Sequence, residues 1–544
     1  MTPAESAAPV LSVRDLRVTF ATSHGEVEAV RGVDLEIFAG ETVAVVGESG
    51  SGKSTLAASI NRLLAENGRI SSGVITLQEL DVTAASEKTM TSIRGSRIGL
   101  VPQDPMTNLN PVMKIGKQIV EALEVHGLAK GSAAEAQAIK LLGDAGIASP
   151  EKRFHQYPHE FSGGMRQRVL IAMALACKPQ VLLADEPTSA LDVTVQRLVL
   201  DQMGELASEL GAAVLLITHD LALAAERADR VVVMYRGEVV ETGTAAEVVA
   251  NPQHEYTKRL LAAAPGMASA KVASAAETGA ADQPEILLEL IGATKKYRLR
   301  GQAEPFLAVD DVSLDIPRGQ TVAIVGESGS GKSTTARLAL KLEDADGGEI
   351  HYRGADVSRL RGRELLSFRR ATQPVFQNPY ASLDPRYTIG QAIAEPLRVH
   401  KVGTPASRDK AVAELLDKVA LPASFLSRRP HELSGGQRQR VAIARALALN
   451  PELVVMDEPV SALDVLVQEQ ILELMVSLQR ELGLSYLFIS HDLAVVRLVS
   501  HRVYVMRAGK VVESGEPDDI FRDPREEYTK QLIAAIPGQS LTTA

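Results

Sequence analysis

Short apolar runs rich in branched residues recur along the chain, and helix-like stretches follow them. In the first half these runs are TVAVVG at residues 42–47, VLLAD at 181–185 and AVLLIT at 213–218. Continuous apolar runs of this length are typical of parallel strands buried on both faces of a sheet. Residues 193–210 form one of the helix-like stretches. The alternation predicts βαβ units and an α/β fold.

The pattern occurs twice in the chain. GESGSGKST stands at residues 47–55 and again 279 residues later at 326–334, while the motifs DEP, SALD and HDLA each recur at an offset of 272, as from 185 to 457. Two tails, 251–266 and 523–538, share EYTK and Pro-Gly. The nearly constant offset indicates a duplicated domain.

The repeat predicts the boundaries of the domains. The stretch between the two copies is rich in Ala and Ser, as expected of a flexible tether. We expect five segments: an N-terminal tail at 1–10, a first domain at 11–266, a linker at 267–284, a second domain at 285–538 and a C-terminal tail at 539–544.

Composition narrows the class of protein. The chain has 544 residues, a net charge of −10 and a single cysteine, Cys177. The acidic balance disfavours a nucleic-acid partner, and one thiol cannot form an internal disulfide or a cysteine cluster. The longest apolar runs are about half the length of a membrane span, and the N-terminus lacks the features of a signal peptide. We expect a soluble, cytosolic protein with Cys177 buried in the core.

The repeated glycine-rich motif fits G-x-x-x-x-G-K-[ST], a loop that wraps backbone N–H groups around phosphates at a helix N-terminus. Lys53 and Lys332 are expected to face solvent and bind the β- and γ-phosphates, and Ser54 and Ser333 to bind Mg²⁺. The predicted phosphate-binding residues of the two loops are Gly47, Glu48, Ser49, Gly50, Ser51, Gly52, Lys53, Ser54 and Thr55, and Gly326, Glu327, Ser328, Gly329, Ser330, Gly331, Lys332, Ser333 and Thr334.

An apolar strand that ends in an acidic pair follows each loop. Asp185 and Asp457 are predicted to contact Mg²⁺ through water, and Glu186 and Glu458 to act as general bases toward the attacking water. An Asp-Glu pair alone is usually a solvated surface feature. Its position after each phosphate-binding loop makes the prediction specific.

Further motifs resemble those of the ABC ATPases over nearly the whole chain. Gln103 and Gln377 resemble the Q-loop glutamines, FSGGM at 161–165 and LSGGQ at 433–437 the signature motifs, and SALD at 189–192 and 461–464 the D-loops. His219 and His491 resemble the H-loop histidines, and Phe20 and Tyr297 stand where this family stacks an aromatic ring on adenine. The resemblance implies two tandem nucleotide-binding domains, each with a RecA-like core, a helical subdomain and a small antiparallel β-subdomain.

The resemblance also implies how the sites are assembled. Two ATP molecules lie between head-to-tail domains, so each phosphate-binding loop is completed by the signature of the opposite domain. The signature residues implied are Ser162, Gly163 and Gly164, and Ser434, Gly435, Gly436 and Gln437; the implied Mg²⁺ contacts are Ser54, Gln103, Asp185, Ser333, Gln377 and Asp457. His219 and His491 would contact the γ-phosphate. Phe161 and Met165 depart from the consensus, but Ser-Gly-Gly is kept, and we expect two competent sites.

Among ABC proteins the chain looks like the dipeptide/oligopeptide importers, as two ATPases joined in one chain. The sequences PQDPMTNLNP, FQNPYASLDP and the two EYTK tails carry this resemblance. It implies two transmembrane permeases and an extracytoplasmic binding protein as partners, at the cytoplasmic face of the membrane. Without further cysteines, no iron–sulfur cluster is expected. A related cargo (haem, a nickel chelate or glutathione) and a ribosome- or DNA-associated ATPase are the alternatives.

Overall fold

The computed structural model describes residues 8–22, 25–189, 191–264, 285–298, 304–377, 382–461 and 463–538. The predicted linker at 267–284, the predicted C-terminal tail at 539–544 and residues 1–7 lie outside this part of the chain. Each predicted domain contains two sheets and two groups of helices.

The first domain has ten strands in the described residues. They are β1 (Leu11–Thr22), β2 (Gly25–Ile37), β3 (Thr42–Val46), β4 (Gly68–Leu77), β5 (Leu80–Asp81), β6 (Ile98–Val101), β7 (Val181–Asp185), β8 (Ala213–Thr218), β9 (Arg230–Tyr235) and β10 (Glu238–Thr244). Strands β2-β1-β4-β5 form an antiparallel sheet. Strands β10-β9-β3-β8-β7-β6 form a second sheet that is parallel except for β10.

The α-helices of the first domain fall into a group on the parallel sheet and a group beside it. They are α1 (Lys53–Ile60), α2 (Glu87–Ile93), α3 (Ile115–Val125), α4 (Ser132–Asp144), α5 (Pro150–Arg153), α6 (Gly163–Leu175), α7 (Val193–Glu209), α8 (Leu221–Arg227), α9 (Ala245–Ala250) and α10 (Glu255–Ala263). Helices α3, α4 and α6 bury one another's apolar faces in a separate cluster that includes Ile119, Leu142 and Val169. This cluster is the core of a helical subdomain.

The second domain repeats this order of elements. Its strands are β11 (Ile286–Tyr297), β12 (Phe306–Pro317), β13 (Thr321–Val325), β14 (Gly347–Tyr352), β15 (Ala355–Asp356), β16 (Thr372–Val375), β17 (Leu453–Asp457), β18 (Ser485–Ser490), β19 (Arg502–Arg507) and β20 (Lys510–Gly515). They form the sheets β12-β11-β14-β15 and β16-β17-β18-β13-β19-β20.

The helices of the second domain match those of the first, except that a 3-10 turn at Ala423–Phe425 takes the place of the short α5. They are α11 (Lys332–Ala339), α12 (Gly362–Ala371), α13 (Ile389–Val399), α14 (Pro405–Lys418), α15 (Gly435–Leu447), α16 (Val465–Leu482), α17 (Leu493–Val499), α18 (Pro517–Arg522) and α19 (Glu527–Ala534). The predicted fold is therefore confirmed: each domain has a parallel-sheet core, a helical subdomain and an antiparallel β-subdomain.

The parallel sheet lies between two apolar layers. On one face, alternate residues of β3 such as Val43 and Val45 join the β-subdomain and α1 in one cluster. On the other face, Ala44 and Val46 join α6, α7, α8 and α10. Burial on both faces explains why the middle positions of these strands are apolar. The predicted strands at 181–185 and 213–218 are confirmed, and the helix predicted at 193–210 ends one residue earlier.

The prediction for Cys177 is wrong in degree. Its side chain is only partly buried, because it follows the last turn of α6, and its Sγ lies 3.8 Å from the carbonyl oxygen of Ala122. Burial still raises the pKa of the thiol.

The two domains contact each other through their tails. Helix α10 of the first domain packs against α16 of the second, and α19 packs against α7. The Arg197 guanidinium donates to the carbonyl oxygen of Ala534, and the Gly538 N–H donates to Glu226 Oε1 at 2.8 Å. The contacts are reciprocal, so each tail reaches the opposite domain.

Candidate functional site

Each phosphate-binding loop connects a buried central strand to the first helix of its parallel sheet. The loop after β3 ends at Gly52, which has φ of +103° and precedes Lys53 at the start of α1. A Cβ at Gly47 would lie 2.2 Å from the carbonyl oxygen of Met234, and one at Gly52 would lie 2.6 Å from that of Ala29. Glycine is therefore required at both positions. Gly331, with φ of +104°, does the same before α11.

The lysines of the loops do not face solvent, which corrects our expectation. Lys53 Nζ donates to the carbonyl oxygens of Gly47 and Glu48 at 2.6 and 2.8 Å, and Lys332 Nζ makes the same two bonds to Gly326 and Glu327. Both lysines are 4% exposed. Burial lowers the pKa of Lys53, although the carboxylates of nearby acidic residues oppose this shift. The loop's own carbonyl groups hold each ammonium inside the loop.

The predicted metal-binding oxygens lie together. Ser54 Oγ donates to Asp185 Oδ1 at 3.0 Å, and Ser333 Oγ donates to Asp457 Oδ1 at 3.1 Å. Burial raises the pKa of both carboxyl groups. A hydroxyl and a carboxylate are the oxygen ligands that Mg²⁺ prefers. Together with the open, glycine-lined loop they fit a nucleotide with its magnesium ion.

The predicted bases lie directly after strands β7 and β17, in a conformation that non-glycine residues rarely adopt. Glu186 has φ of +44° and Glu458 has φ of +47°. The Glu186 N–H donates to the carbonyl oxygen of Ile217 at 2.9 Å, and the neighbouring strand thereby holds the turn in place. Left-handed backbone at such residues is concentrated at functional sites.

Two of the predicted side chains contact each of these carboxylates. Gln103 Nε2 donates to Glu186 Oε2 at 2.8 Å, and His219 Nδ1 lies 3.4 Å from Glu186 Oε1. Burial would raise the pKa of Glu186, but these partners and the charge of Lys53 outweigh it, so its pKa lies below the usual value. The carboxylate is therefore ionised at neutral pH.

The second domain has the same arrangement. Gln377 Nε2 donates to Glu458 Oε2 at 2.7 Å, and His491 Nδ1 lies 3.4 Å from Glu458 Oε2. Burial opposes protonation of the histidine, but the adjacent glutamate raises the pKa of His491, as it does that of His219. Asp220 and Asp492, which our prediction did not include, cap the helices that follow the histidines.

The signature motifs form the starts of α6 and α15. Ser434 Oγ accepts from the Gln437 N–H at 3.3 Å, and Gln437 Oε1 accepts from the Ser434 N–H at 3.0 Å. In the first domain, Ser162 Oγ accepts from the Met165 N–H at 3.4 Å, but a methionine side chain cannot return the bond. The departure at Met165 therefore removes half of a reciprocal cap.

The signature glycines are packed against the helix that follows the D-loop of their own domain, which is α7 in the first domain and α16 in the second. A Cβ at Gly164 would lie 2.4 Å from Val195 Cγ1, and one at Gly436 would lie 2.3 Å from Val467 Cγ1. Gly163 and Gly435 face the leucines of the D-loops. A Cβ at Gly163 would lie 3.5 Å from Leu191 Cδ2, and one at Gly435 would lie 3.3 Å from Leu463 Cδ2. A larger residue at Gly164 or Gly436 would push the signature away from the helix that follows the D-loop.

The D-loops connect each domain to the opposite phosphate-binding loop. Asp192 accepts hydrogen bonds from both the N–H and the Oγ of Ser328, at 3.0 and 2.8 Å. Asp464 accepts from the Ser49 N–H at 3.3 Å. Each signature thus packs on a D-loop whose aspartate reaches the other domain's loop. This reciprocal geometry places the domains head to tail.

The bases of the two domains line one cavity of about 110 Å³ between the D-loops. Glu186, His219, Glu458 and His491 all contribute to its wall. The two sites therefore lie on either side of a shared space at the domain interface.

The predicted adenine-stacking residues lie at the ends of matching strands. Phe20 lies near the end of β1, and its ring covers Gly68. A Cβ at Gly68 would lie 2.6 Å from Phe20 Cε1. The hydroxyl of Tyr297, at the end of β11, bonds to Glu343 and interacts with Thr334 of the phosphate-binding loop. Tyr297 is thus beside its loop.

Sequence reasoning recognised the EYTK tails but assigned them no place in the site. In the structure, Tyr256 and Tyr528 reach the backbone of the phosphate-binding loops. The repetition of EYTK after both domains was the available signal, but a hydroxyl directed at a backbone N–H cannot be read from the tail sequence.

These features fit a P-loop ATPase with two candidate nucleotide sites, each lined by both domains. A family model described as ABC transporter matches residues 30–189 and 309–461, and one described as oligopeptide/dipeptide transporter, C-terminal region matches residues 240–288 and 512–540. The chain therefore belongs to the ABC transporter family, as its ATP-binding ATPase subunit, with two ATPase units in one polypeptide.

Similar proteins of known name span nearly the whole chain. The glutathione import ATP-binding protein GsiA of Salmonella typhimurium is 44% identical over 557 residues, which cover 97% of this chain and 89% of that protein. GsiA of Pectobacterium atrosepticum is 43% identical with the same coverage. The solved dimeric structure of the ATP-binding cassette MJ0796 bound to ADP and Pi shares 34% identity, covering 42% of this chain and 98% of that chain, with a TM-score of 0.39.

The predicted class of protein is confirmed by the two family models and by the similarity to GsiA. The chain is an importer-type ABC ATPase of the oligopeptide/dipeptide group, with its two ATPase units fused. None of the helices in the described ranges combines the length and apolar character needed to cross a bilayer.

Proposed function

We propose that this chain powers the import of small peptides, glutathione among them, through two separate permeases. The observation that carries the proposal is the D-loop contact: each aspartate binds the opposite loop, so both sites are built from both domains. Full-length similarity to glutathione import ATPases and the paired C-terminal transporter regions support a peptide cargo. Glutathione is a tripeptide, so the two descriptions agree in chemistry.

In this proposal each residue has a distinct role. The glycine-rich loops bind the phosphates through their N–H groups. When ATP binds, the ammonium groups of Lys53 and Lys332 leave the carbonyl oxygens of their loops and donate to phosphate oxygens instead. Asp185 with Ser54, and Asp457 with Ser333, would hold Mg²⁺, which when bound neutralises phosphate charge. Phe20 and Tyr297 would flank the adenine, and the signature Ser-Gly-Gly would close the site from the opposite domain.

Glu186 and Glu458 would take the proton from the attacking water. Their lowered pKa keeps them ionised, and Gln103 with His219 orients Glu186 while Gln377 with His491 orients Glu458. Closing the domains around ATP and reopening them after hydrolysis would drive the permeases between their two orientations. The chain would then sit at the cytoplasmic face of the membrane, held there by the permeases and served by a binding protein outside.

Affinity capture of the tagged chain from detergent-solubilised membranes tests the partners. We expect two multi-span proteins to co-purify with the chain, without ribosomal RNA. Capture of ribosomal RNA instead would favour the alternative of a ribosome-associated ATPase. Cargo is tested by uptake of labelled glutathione and of a labelled dipeptide in cells. Uptake of at least one of these two peptides should require the wild-type chain and should disappear in the double variant Glu186→Gln, Glu458→Gln. Uptake of both peptides that persists without the chain would contradict the peptide proposal.

A further inference from the structure

The tyrosine of each EYTK tail reaches the start of the phosphate-binding loop in its own domain. The Glu48 N–H donates to Tyr256 Oη at 2.7 Å, and the Glu327 N–H donates to Tyr528 Oη at 2.9 Å. The two tyrosines are 3% and 4% exposed. Burial raises the pKa of Tyr528 to about 12 and moves that of Tyr256 in the same direction, so both hydroxyls stay protonated.

A carboxylate from the last strand fixes the tail in front of each tyrosine. Glu241 on β10 accepts from the backbone N–H groups of Gln253 and His254 at 2.7 and 3.0 Å. Glu513 on β20 accepts in the same way from the backbone N–H groups of Arg525 and Glu526 at 2.8 and 3.2 Å. These bonds hold the chain where α10 and α19 begin. The backbone just before each tyrosine is thereby fixed, and with it the point from which the tyrosine side chain extends toward the loop.

The next N–H along each loop is bound from the opposite domain. Ser49, adjacent to Glu48, donates to Asp464, and Ser328, adjacent to Glu327, donates to Asp192. The tail and the opposing D-loop therefore hold neighbouring amides of one loop. In addition, Tyr256 and Leu260 share an apolar cluster with Val465 and Leu466 of the opposite domain. The tail touches both of the elements that must come together when a site closes.

We propose that Tyr256 and Tyr528 are positioning residues of the two ATP sites, through which the C-terminal tails couple domain pairing to nucleotide affinity. The proposal rests on the proposed function of the loops in binding ATP. Without the hydroxyl, the Glu48 N–H loses its acceptor, and the start of the loop can move away from the phosphate-binding conformation. The chemistry of the base and the orienting groups around Glu186 is left in place.

Tyr256→Phe and Tyr528→Phe test the proposal because each keeps the ring and removes only the oxygen. The matched control is Tyr235→Phe, which removes a hydroxyl from the neighbouring ring, whose centroid lies 4.3 Å from that of Tyr256. For the intact chain we would measure thermal unfolding, equilibrium dialysis of ATP, and KM and kcat for ATP hydrolysis. Loss of one hydrogen bond to a loop amide should raise Kd and KM roughly threefold to tenfold, with kcat within about twofold of wild type.

The outcomes separate a positioning role from a structural one. Raised KM and Kd in both tail variants, with a melting temperature equal to that of Tyr235→Phe, support the proposal. Unchanged KM and Kd, or a fall in kcat that follows the loss of thermal stability, would overturn it. If the wild-type chain binds ATP but does not hydrolyse it even in membranes that contain the permeases, the proposed function fails, while the dialysis still decides the role of the tyrosines.

A double-mutant cycle tests the coupling itself. Tyr256→Phe and Asp464→Asn act on adjacent amides, so their effects on ATP affinity should be non-additive, whereas Tyr256→Phe with Asp192→Asn, which acts at the other loop, should be closer to additive. Additive effects in both pairs would overturn the coupling.

Discussion

The two D-loop aspartates make unequal contacts, which predicts unequal effects on replacement. Asp192 uses both carboxylate oxygens on Ser328 across the interface. Asp464 uses one oxygen on Ser49, and its other oxygen caps its own helix by accepting from the Val467 N–H at 3.2 Å. Asp192→Ala should therefore mainly weaken domain pairing, while Asp464→Ala should divide its effect between pairing and the stability of the second domain.

The magnitudes follow from the bonds that are lost. Hydrogen bonds to a charged group contribute about 1.5–3 kcal/mol in favourable cases. Since the interface is open to solvent, we assign about that amount to the pair at Asp192, or roughly a 10- to 150-fold loss in the pairing equilibrium. The single, longer bond of Asp464 should contribute at most about half of that free energy, or roughly a 3- to 12-fold loss in the pairing equilibrium. Loss of its capping bond should cost the second domain about 0.5–2 kcal/mol.

The assay combines kcat/KM for ATP hydrolysis at low ATP concentration with differential scanning calorimetry. We expect Asp192→Ala to lose more activity than Asp464→Ala, and Asp464→Ala to lose more thermal stability. Asp192→Asn, which keeps one acceptor, is the matched control and should fall between wild type and Asp192→Ala. A larger loss of activity in Asp464→Ala, or a larger loss of stability in Asp192→Ala, would refute this reasoning.

Two further predictions concern the signature helix and the histidine. Met165→Gln restores a side chain that can accept from the Ser162 N–H, and should stabilise the first domain by about 0.5–1 kcal/mol, while Gln437→Met should destabilise the second; calorimetry showing no change in either would contradict the cap. Because the pKa of His219 is raised by Glu186, the pair's contribution to stability is complete below about pH 6.5 and is lost as pH rises through the raised pKa. The difference in melting temperature between wild type and His219→Asn should shrink across this range, and a constant difference would contradict the assignment.

The repeated motifs allowed the fold to be predicted and the residues of the candidate site to be named, because their chemistry depends on local sequence. A glycine-rich loop needs a strand before it and a helix after it, and both were visible in the apolar pattern around residues 42–60. Gln103, Glu186 and His219 were each predicted from their own motif, and in the structure Gln103 and His219 both lie beside the Glu186 carboxylate.

Contacts that depend on tertiary packing could not be predicted. Lys53 was expected to face solvent, but its ammonium reaches the carbonyls of its own loop, which only the folded turn of the loop brings within reach. Nor could the sequence show that Asp192 crosses to Ser328, more than a hundred residues away, or that Tyr256 reaches Glu48. These bonds join segments whose proximity is set by domain pairing and by the path of the tail.

The central claim is that the chain contains two ATP sites, each with its own glutamate base. The most direct measurement compares Glu186→Gln, Glu458→Gln and the double variant with wild type, in membranes that contain the permeases. Glutamine keeps the size of the side chain but cannot take a proton, and loss of a general base costs on the order of 10² to 10⁴ in rate. The account predicts that the double variant retains two ATP per chain and hydrolyses them at least about a hundredfold more slowly than wild type. Hydrolysis by the double variant at a near wild-type rate, or retention of a single ATP per chain, would contradict it.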